Sequence, residues 1–365
     1  MSTHFDVVIV GAGMAGASLA AELAPHCSVA LLEAEDQPGY HATGRSAAFW
    51  AETYGGPLVQ PLTSASGPWL DEHGFLGPRG ALNLAREEDG PVLEAFFERY
   101  ARAGVNVERV GRDWIEAIVP GLRPQWREAA WEPDCRDIDV AAVHAYYLTL
   151  GRRAGAVLRC RARVAEARHE GTRWRVTTEA GEVVTCETLV DAAGAWADPV
   201  AERSGVRTLG ITPLRRTIAQ LRTTPAPPDA LPLVLDISGT FYFKPENGRL
   251  WVSPHDETPS PPCDAAPEEI DVAEAIGRFE GAVDWQVEAV EHRWAGLRSF
   301  APDRLPVIGH DPANHAFFWF AGQGGAGIQT APAAARMAAQ ALLGHGSDAM
   351  TASLDPGLYR PDRLA

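Results

Sequence analysis

Three glycines near the start of the chain have the spacing of a phosphate-binding turn. Gly11, Gly13 and Gly16 form the pattern G-x-G-x-x-G directly after the apolar run FDVVIV. The first glycine permits a tight bend, the second lets a pyrophosphate approach the backbone, and the third lets a helix pack closely. Glu33 ends the next apolar run, 22 residues after Gly11, where a carboxylate accepts hydrogen bonds from a ribose. We expect a dinucleotide without a 2′-phosphate here; the alternative is an ordinary glycine turn beside a surface Glu.

A second segment with chemical potential is GYHATGRSAAFW, residues 39–50. Its apolar residues follow neither the helical period of 3.6 nor the strand period of 2. Gly44, Arg45 and Ser46 could offer backbone donors and one cation to a second phosphate or to a flavin ring. The alternative is a solvated turn with a surface arginine. The glycine triplet alone does not distinguish NAD from FAD, so this segment carries the choice between them.

A third candidate is the glycine-rich loop GQGGAGIQT, residues 322–330. It lies between the apolar run HAFFWFA and the small-residue run APAAARMAAQALL, which predict a strand and a helix. The N-terminus of that helix would stabilise negative charge on a bound group, and bare glycine amides suit this role. The alternative is a turn that serves only helix packing.

The elements around these segments predict an α/β domain. FDVVIV and SVALLEAED are buried strands on either side of a helix of small residues, which makes a βαβ unit. TLVDAAG, residues 188–194, is a further strand of the same layer. Because the C-terminal strand, loop and helix return to this pattern, we expect the first domain to be discontinuous.

The intervening segments predict a second domain. Residues 54–134 contain amphipathic helical patterns such as PVLEAFFERYARAG, and we expect an inserted layer of helices there. FYFKPENGRLWVSP predicts short strands, and proline-rich stretches flank it on both sides. Since proline in sheets is confined to turns and edges, these stretches indicate loops of an antiparallel sheet.

Composition restricts the possible partners. The chain has 365 residues, 46% of them hydrophobic, and a formal net charge of -16, which argues against nucleic acid and anionic membrane surfaces as partners. Its five cysteines form no CxxC, so we expect neither a disulfide framework nor a metal site. No apolar run approaches the roughly 18 residues of a spanning helix, and no basic leader is visible. We therefore expect a cytoplasmic protein that acts on a small molecule.

Five segments taken together resemble a known enzyme family. They are GAGMAGAS, PGYHATGRSAA, VDAAGAWAD, WAGLRSFAPDRLPVIG and GQGGAGIQT, in this order along nearly the whole chain. The set resembles the FAD-dependent amine and amino-acid oxidoreductases, which include D-amino acid oxidase, glycine oxidase and sarcosine oxidase. Within them the bacterial D-arginine dehydrogenase type is the most similar. The resemblance implies a Rossmann-like FAD-binding domain (1–54, 135–205 and 299–365) and an α+β substrate-binding domain built on an antiparallel sheet (55–134 and 206–298).

The resemblance also implies how FAD is held. The adenosine would lie at the glycine triplet and the isoalloxazine at the domain border. Some relatives attach FAD through a histidine in the region of His41, but those with GYH bind it without a covalent bond, which we expect here. The implied cofactor-binding residues are Gly11, Gly13, Ala15, Gly16, Glu33, Ala34, Thr43, Gly44, Arg45, Ser46, Ala47, Ala48, Val164, Ala193, Gly194, Gly324, Gly325, Gly327 and Ile328.

For the substrate, the resemblance implies an α-amino acid bound by its carboxylate. Arg216 and Arg298 match carboxylate-binding arginines, and the planar guanidinium suits bidentate binding of a carboxylate. Tyr54 and Tyr242 match phenols that close over the substrate. From the residues alone, Arg216 could equally be in a surface ion pair and Tyr242 could be a core residue.

Three positions depart from the D-arginine enzymes. Phe49 stands where they have a histidine, Ala81 where they have the Glu that receives the guanidinium, and Ala326 where they have a tyrosine. A buried guanidinium without a carboxylate partner is unfavourable, so D-arginine is a poor substrate here. Together with Trp50, these residues predict a larger, apolar side-chain pocket. We therefore expect oxidative deamination of a D-amino acid with a neutral or apolar side chain to a 2-oxo acid.

Two other functions stay open from the sequence. The substrate could be a secondary amine or a specialised amine metabolite, and the electrons could pass to oxygen, a quinone or another acceptor. A flavin- or NAD-binding protein without catalytic activity is a further alternative.

Overall fold

The computed structural model describes residues 3–364, which form two large sheets, one small sheet and eight α-helices. The helices are α1 (Met14–Leu23), α2 (Gln60–Glu72), α3 (Gly90–Arg102), α4 (Arg112–Ile118), α5 (Val140–Arg153), α6 (Ala197–Arg203), α7 (Glu269–Ala282) and α8 (Ala331–Leu343). None of these helices is long and apolar enough to cross a lipid bilayer.

The first large sheet has a parallel centre. Its strands are β1 (His4–Val10), β2 (Val29–Leu32), β9 (Val157–Arg159), β10 (Val164–Glu170), β11 (Arg173–Thr178), β12 (Val183–Asp191), β19 (Val307–His310) and β20 (Phe317–Ala321). Strands β12, β1, β2 and β9 are neighbours in that order, and β20 pairs in parallel with the end of β12. Helix α1 contacts both α5 and α8, so segments from both ends of the chain build one layer.

The second large sheet is almost entirely antiparallel. Its strands are β5 (Ala81–Arg86), β6 (Glu108–Gly111), β7 (Trp126–Glu132), β13 (Thr212–Thr224), β14 (Leu233–Asp236), β15 (Tyr242–Glu246), β16 (Arg249–Ser253), β17 (Thr258–Pro259) and β18 (Gln286–Phe300). The order is β17-β13-β16-β15-β14-β5-β7-β6, with β18 on β13, and only the pair β14–β5 among these strands is parallel.

Residues 54–134 are not the purely helical layer that the sequence predicts. They contain α2, α3 and α4, but β5, β6 and β7 also come from this segment and join the second sheet. The expectation of a helical layer is wrong because β6, for example, is only four residues long and mostly exposed, so it has no clear apolar period.

A small sheet of three strands accompanies the two large ones. It consists of β3 (Phe49–Trp50), β4 (Leu76–Pro78) and β8 (Arg136–Ile138). Because successive side chains of a strand point to opposite faces, Phe49 and Trp50 must face different surroundings.

The pairing of β13 with β18 brings two distant arginines together. In this antiparallel ladder Leu214 lies opposite Arg298, and Arg216 lies opposite Gly296. Arg216 and Arg298 are therefore two positions apart in register and lie on the same face of the sheet.

Candidate cofactor and substrate site

A long cavity with a volume of about 220 Å³ runs from the glycine turn after β1 to the paired arginines of β13 and β18. Most of the predicted cofactor residues line it: Gly11, Gly13, Ala15, Glu33, Ala34, Thr43, Arg45, Ser46, Ala47, Val164, Ala193, Gly194, Gly324, Gly325, Gly327 and Ile328. Gly16, Gly44 and Ala48 are not part of its wall. Arg216 and Arg298 line the same cavity, so the predicted cofactor and substrate residues share one site.

The glycine turn is built so that only backbone reaches the cavity. Gly11 has a φ of 99°, and a Cβ there would lie 2.6 Å from the carbonyl oxygen of Ala192. A Cβ on Gly16 would lie 1.9 Å from the Gly11 carbonyl oxygen, which explains why Gly16 serves the packing of α1 rather than the wall. Gly13 leaves bare backbone beside the Thr43 hydroxyl. This cradle fits a pyrophosphate, because a side chain at either of the first two glycines would narrow it.

Two side chains hold this turn in place. Glu33 is 8% exposed and accepts hydrogen bonds from the Ala12 N–H at 2.9 Å and from the Glu35 N–H at 3.0 Å. Thr43 Oγ1 accepts from the Met14 N–H at 2.9 Å and so caps α1 from another segment. A carboxylate has about four acceptor positions, so Glu33 retains capacity for the hydroxyls of a ribose.

A histidine that the sequence reasoning missed supports the same turn. His144 of α5 is buried, and its Nε2 lies 2.9 Å from the carbonyl oxygen of Ala12. Burial lowers the pKa of His144, so the ring is neutral and its Nε2–H donates to that carbonyl. The apolar period of α5 predicts a helix, but nothing in that period indicates this contact.

Arg45 lines the cavity, and its guanidinium also has several protein partners. Its guanidinium donates to the carbonyl oxygens of Ala265, at 2.8 Å, and Ala295, at 3.0 Å, and it forms an ion pair with Asp264. Tyr40 also donates to Asp264, at 3.1 Å. The charge of Arg45 therefore already has a carboxylate partner, and the side chain ties residues 39–46 to the loop before α7.

His41 lines the cavity and also has a protein partner. Its Nε2 lies 3.0 Å from Glu35 Oε1, and its ring packs on Trp196 at a centroid distance of 4.5 Å.

Arg216 is a buried cation whose donors are not all used. It is 3% exposed; its Nε donates to the Asp256 carbonyl oxygen at 2.8 Å and its Nη2 to Glu257 at 3.3 Å. Its Nη1 has no hydrogen-bond partner among the residues that the structure describes. Burial, followed by the nearby charge of Arg298, lowers the pKa of Arg216. A buried donor without a partner beside a second cation is suited to an anionic ligand.

Arg298 and Tyr54 meet at the glycine-rich loop before α8. The Arg298 Nη1–H donates to the Tyr54 hydroxyl at 2.6 Å. A Cβ on Gly325 would lie 2.6 Å from that hydroxyl and 3.0 Å from Arg298 Nη1. The loop backbone therefore approaches this pair as closely as it does only because position 325 has no side chain.

His255 is a second residue that the sequence reasoning missed. Burial, then the charges of Arg216 and Arg298, lower the pKa of His255 to about 3, so the ring is neutral at ordinary pH. Its Nδ1 lies 2.6 Å from the carbonyl oxygen of Gly239, and its ring lies 5.8 Å from that of Tyr242. His255 stands in a loop without periodicity, and no sequence signal identifies it.

Phe49 and Ala81, which the sequence assigns to a larger, apolar side-chain pocket, do not line this cavity. Phe49 is 7% exposed and packs edge-on against Tyr54 and Tyr242 at centroid distances of 5.0 and 6.4 Å. Ala81 is buried in the same cluster, and none of these four side chains lines the cavity.

Trp50 and Ala326 face other surroundings. The Trp50 indole donates to the Thr63 carbonyl oxygen at 2.9 Å and lies against Gly67 of α2, on the opposite side of β3 from Phe49. Ala326, in the glycine-rich loop before α8, lies beside Gly55, the residue that follows Tyr54. Neither side chain lines the cavity.

Comparison with known proteins agrees with this architecture. A family model described as FAD dependent oxidoreductase matches residues 6–341. The glycine oxidase of Pseudomonas aeruginosa is 26% identical over 97% of this chain and 98% of its own. Hydrogen cyanide synthase subunit HcnC of the same species is 24% identical over 85% of each chain. The crystal structure of glycine oxidase from Geobacillus kaustophilus has a TM-score of 0.84 at 23% identity and covers 98% of each chain. The predicted family and fold class are confirmed.

Proposed function

Because the chain belongs to the FAD dependent oxidoreductase family, with FAD as its cofactor, we propose that it oxidises glycine or a small, neutral D-amino acid. The substrate amine loses its α-hydrogen with an electron pair, as a hydride, and one proton from its nitrogen. The resulting imine is hydrolysed by water to a 2-oxo acid and ammonia. When bound, FAD supplies the acceptor for the hydride from the α-carbon.

The residues of the cavity fit FAD. The bare backbone at Gly11 and Gly13 leaves room for the pyrophosphate, and Glu33 is oriented to accept from the adenosine ribose. The N-terminal end of α8 and its glycine loop lie at the other end of the cavity, close to Arg298. A helix N-terminus there favours negative charge on a group bound beside it.

The observation that carries the proposal is the unused Nη1 of Arg216 next to Arg298. A substrate carboxylate between the two guanidiniums would satisfy that donor and relieve the repulsion between the charges. The Tyr54 hydroxyl already accepts from Arg298, so its own proton is available to the same carboxylate. Binding by the carboxylate fixes the α-carbon in place, and such orientation contributes about 7 to 11 kcal/mol in favourable cases.

The size limit comes from the aromatic cluster. Phe49 packs on Tyr54 and on Tyr242, and Tyr54 contacts Arg298, so this aromatic cluster supports a small side chain on the substrate. Ala81 provides no charge for a basic side chain. The name of the relative glycine oxidase is consistent with a substrate that has a very small side chain. The D configuration rests on the motifs shared with the D-arginine dehydrogenase type.

A substrate panel tests this proposal. The FAD-loaded protein is mixed without oxygen with glycine, D-alanine, D-leucine, D-phenylalanine, L-alanine and sarcosine, and bleaching of the flavin absorption is followed. We expect fast bleaching by glycine and D-alanine, slow bleaching by the two larger D-amino acids and none by L-alanine. Faster bleaching by L-alanine than by D-alanine would exclude the D configuration, and bleaching by sarcosine alone would support a secondary amine as substrate.

A further inference from the structure

A buried carboxylate outside the cavity holds the loop that carries Tyr54. Glu132, at the end of β7, is fully buried. Its Oε1 accepts from the Glu52 N–H at 2.7 Å, and its Oε2 accepts from the Thr53 hydroxyl at 2.6 Å. Both donors stand directly before Tyr54 in the chain. The burial pattern of β7 does not require an acid at this position. The buried carboxylate is therefore a candidate for a specific role.

The rest of the loop is tied down by other buried side chains. Gln329, just before α8, accepts from the Ala51 N–H at 3.1 Å and donates to the Tyr54 carbonyl oxygen at 3.2 Å. Tyr100 of α3 donates its hydroxyl to the Thr53 carbonyl oxygen. The backbone of residues 51–54 is therefore held from three directions, and Glu132 is the only one of the three anchors that bears a carboxyl group.

We propose that the Glu132 carboxylate is a positioning residue that keeps Tyr54 in contact with Arg298 by accepting two hydrogen bonds from the Tyr54 loop. Glu132 does not touch the cavity and acts only through the loop. Its effect on substrate binding rests on the proposed function, whereas its effect on the loop does not.

The charge of this carboxylate changes in the physiological range. Burial raises the pKa of Glu132 to about 7. The ionisable groups near it are Glu52 on the loop, Tyr100 on α3 and Cys135, which directly precedes β8. Burial raises the pKa of Tyr100 to about 12 and that of Cys135 well above its usual value, so neither group titrates near pH 7. Protonated Glu132 cannot accept from both donors in the same way, and the loop is then held less firmly.

Hydrogen exchange of the loop gives a direct test. In the FAD-loaded protein, the amides of residues 51–56 are expected to exchange about tenfold or more faster in Glu132→Ala than in the wild type, since two charge-assisted hydrogen bonds are lost. Glu132→Gln keeps one acceptor and the side-chain volume but, like the protonated carboxyl group, it cannot accept from both donors, so it should restore only part of the protection. Glu128→Ala, a half-buried position on the same strand, is the matched control and should leave the loop unchanged. Equal exchange of the loop in Glu132→Ala and Glu128→Ala would overturn the proposal, as would faster exchange spread evenly over the whole chain.

Acetate binding then tests the link to Arg298. Acetate is titrated into the oxidised, FAD-loaded protein between pH 6 and 8, and the flavin absorption is followed. If only ionised Glu132 holds the loop, the Kd of acetate at pH 6 should be about tenfold higher than at pH 8, because roughly a tenth of the carboxyl is ionised there. Glu132→Gln should show no such pH dependence, whereas Glu52→Gln should keep it. A pH dependence that persists unchanged in Glu132→Gln would refute this link.

The two proposals fail in different ways. An amino-acid panel without bleaching, together with the expected exchange at residues 51–56, would contradict the proposed function alone. Bleaching by glycine together with an unchanged loop in Glu132→Ala would contradict the positioning role alone.

Discussion

Replacing Glu132 by Gln is expected to change how the stability of the protein depends on pH. Burial raises the pKa of Glu132 from 4.5 to about 7 in the folded chain. A carboxyl group whose pKa is higher in the folded than in the unfolded chain stabilises the fold most when the pH is below its pKa in the unfolded chain. That contribution is lost as the pH rises to its pKa in the folded chain. The wild type should therefore lose stability from this group between about pH 4.5 and pH 7, whereas Glu132→Gln has no proton to lose.

The size of the effect follows from the same pKa. At 1.36 kcal/mol per pKa unit, a rise from 4.5 to about 7 corresponds to about 3 kcal/mol. Glu132 is fully buried, so little of this is screened by solvent. The entropy of unfolding is about 2.1 cal/mol/K per residue, so 3 kcal/mol in a chain of 365 residues shifts Tm by about 4 °C.

The assay compares Tm of the wild type and Glu132→Gln at pH 5 and pH 8, with the same excess of FAD. Fixed FAD is needed because bound cofactor raises Tm by mass action. Because pH 5 already lies above the unfolded pKa of 4.5, part of the effect is lost before the measured window, and we expect the difference in Tm, variant minus wild type, to become more positive by about 3 °C from pH 5 to pH 8. Glu128→Gln, half-buried on the same strand, should show a difference that is independent of pH. A difference that is equal at the two pH values, or larger at pH 5, would refute the reasoning.

Three further predictions concern the cavity. Arg298→Met removes one of the two guanidiniums, so kcat/KM for glycine should fall about 10- to 100-fold, measured by steady-state kinetics, while the Kd of FAD changes little. Phe49→Ala should open space beside Ala81, so that D-leucine bleaches the flavin faster relative to D-alanine in stopped-flow measurements. Because Phe49 is buried, the same substitution should lower the free energy of unfolding by about 3 kcal/mol. Glu33→Gln weakens a charge-assisted acceptor, so the Kd of FAD, measured by titration of the apoprotein, should rise about tenfold, and an unchanged Kd would exclude Glu33 as a ribose ligand.

Much of the cofactor side of the site could be predicted from the sequence. The glycine turn, Glu33 and the loop before α8 each consist of residues that are close together in the chain. Their geometry depends on local backbone freedom, as the φ of 99° at Gly11 illustrates. Local patterns of this kind indicate where a phosphate or a ring can approach the backbone, because no distant contact is needed to create the opening.

The substrate side was predicted less well from the sequence. Arg216 and Arg298 could be named only through the resemblance to a family, and Phe49, which was assigned to a larger apolar pocket, does not line the cavity. Whether Phe49 fills a space or borders one depends on Tyr54 and Tyr242, which are brought to it by other elements of the fold. A departure from a family pattern indicates that a contact is lost, but it does not indicate what occupies the space.

The sequence by itself determined the α/β class, the dinucleotide turn and the membership of a flavoenzyme family, because these depend on short segments whose backbone conformation is encoded locally. Only the tertiary structure decided the surroundings of the charged groups. It pairs Arg45 with Asp264, leaves one donor of Arg216 without a partner among the described residues, and gives Glu132 its hydrogen bonds from the Tyr54 loop. These partners lie dozens to hundreds of residues apart in the chain. The physical reason is that burial and long-range pairing set the state of a charge, and both arise only when the sheets assemble.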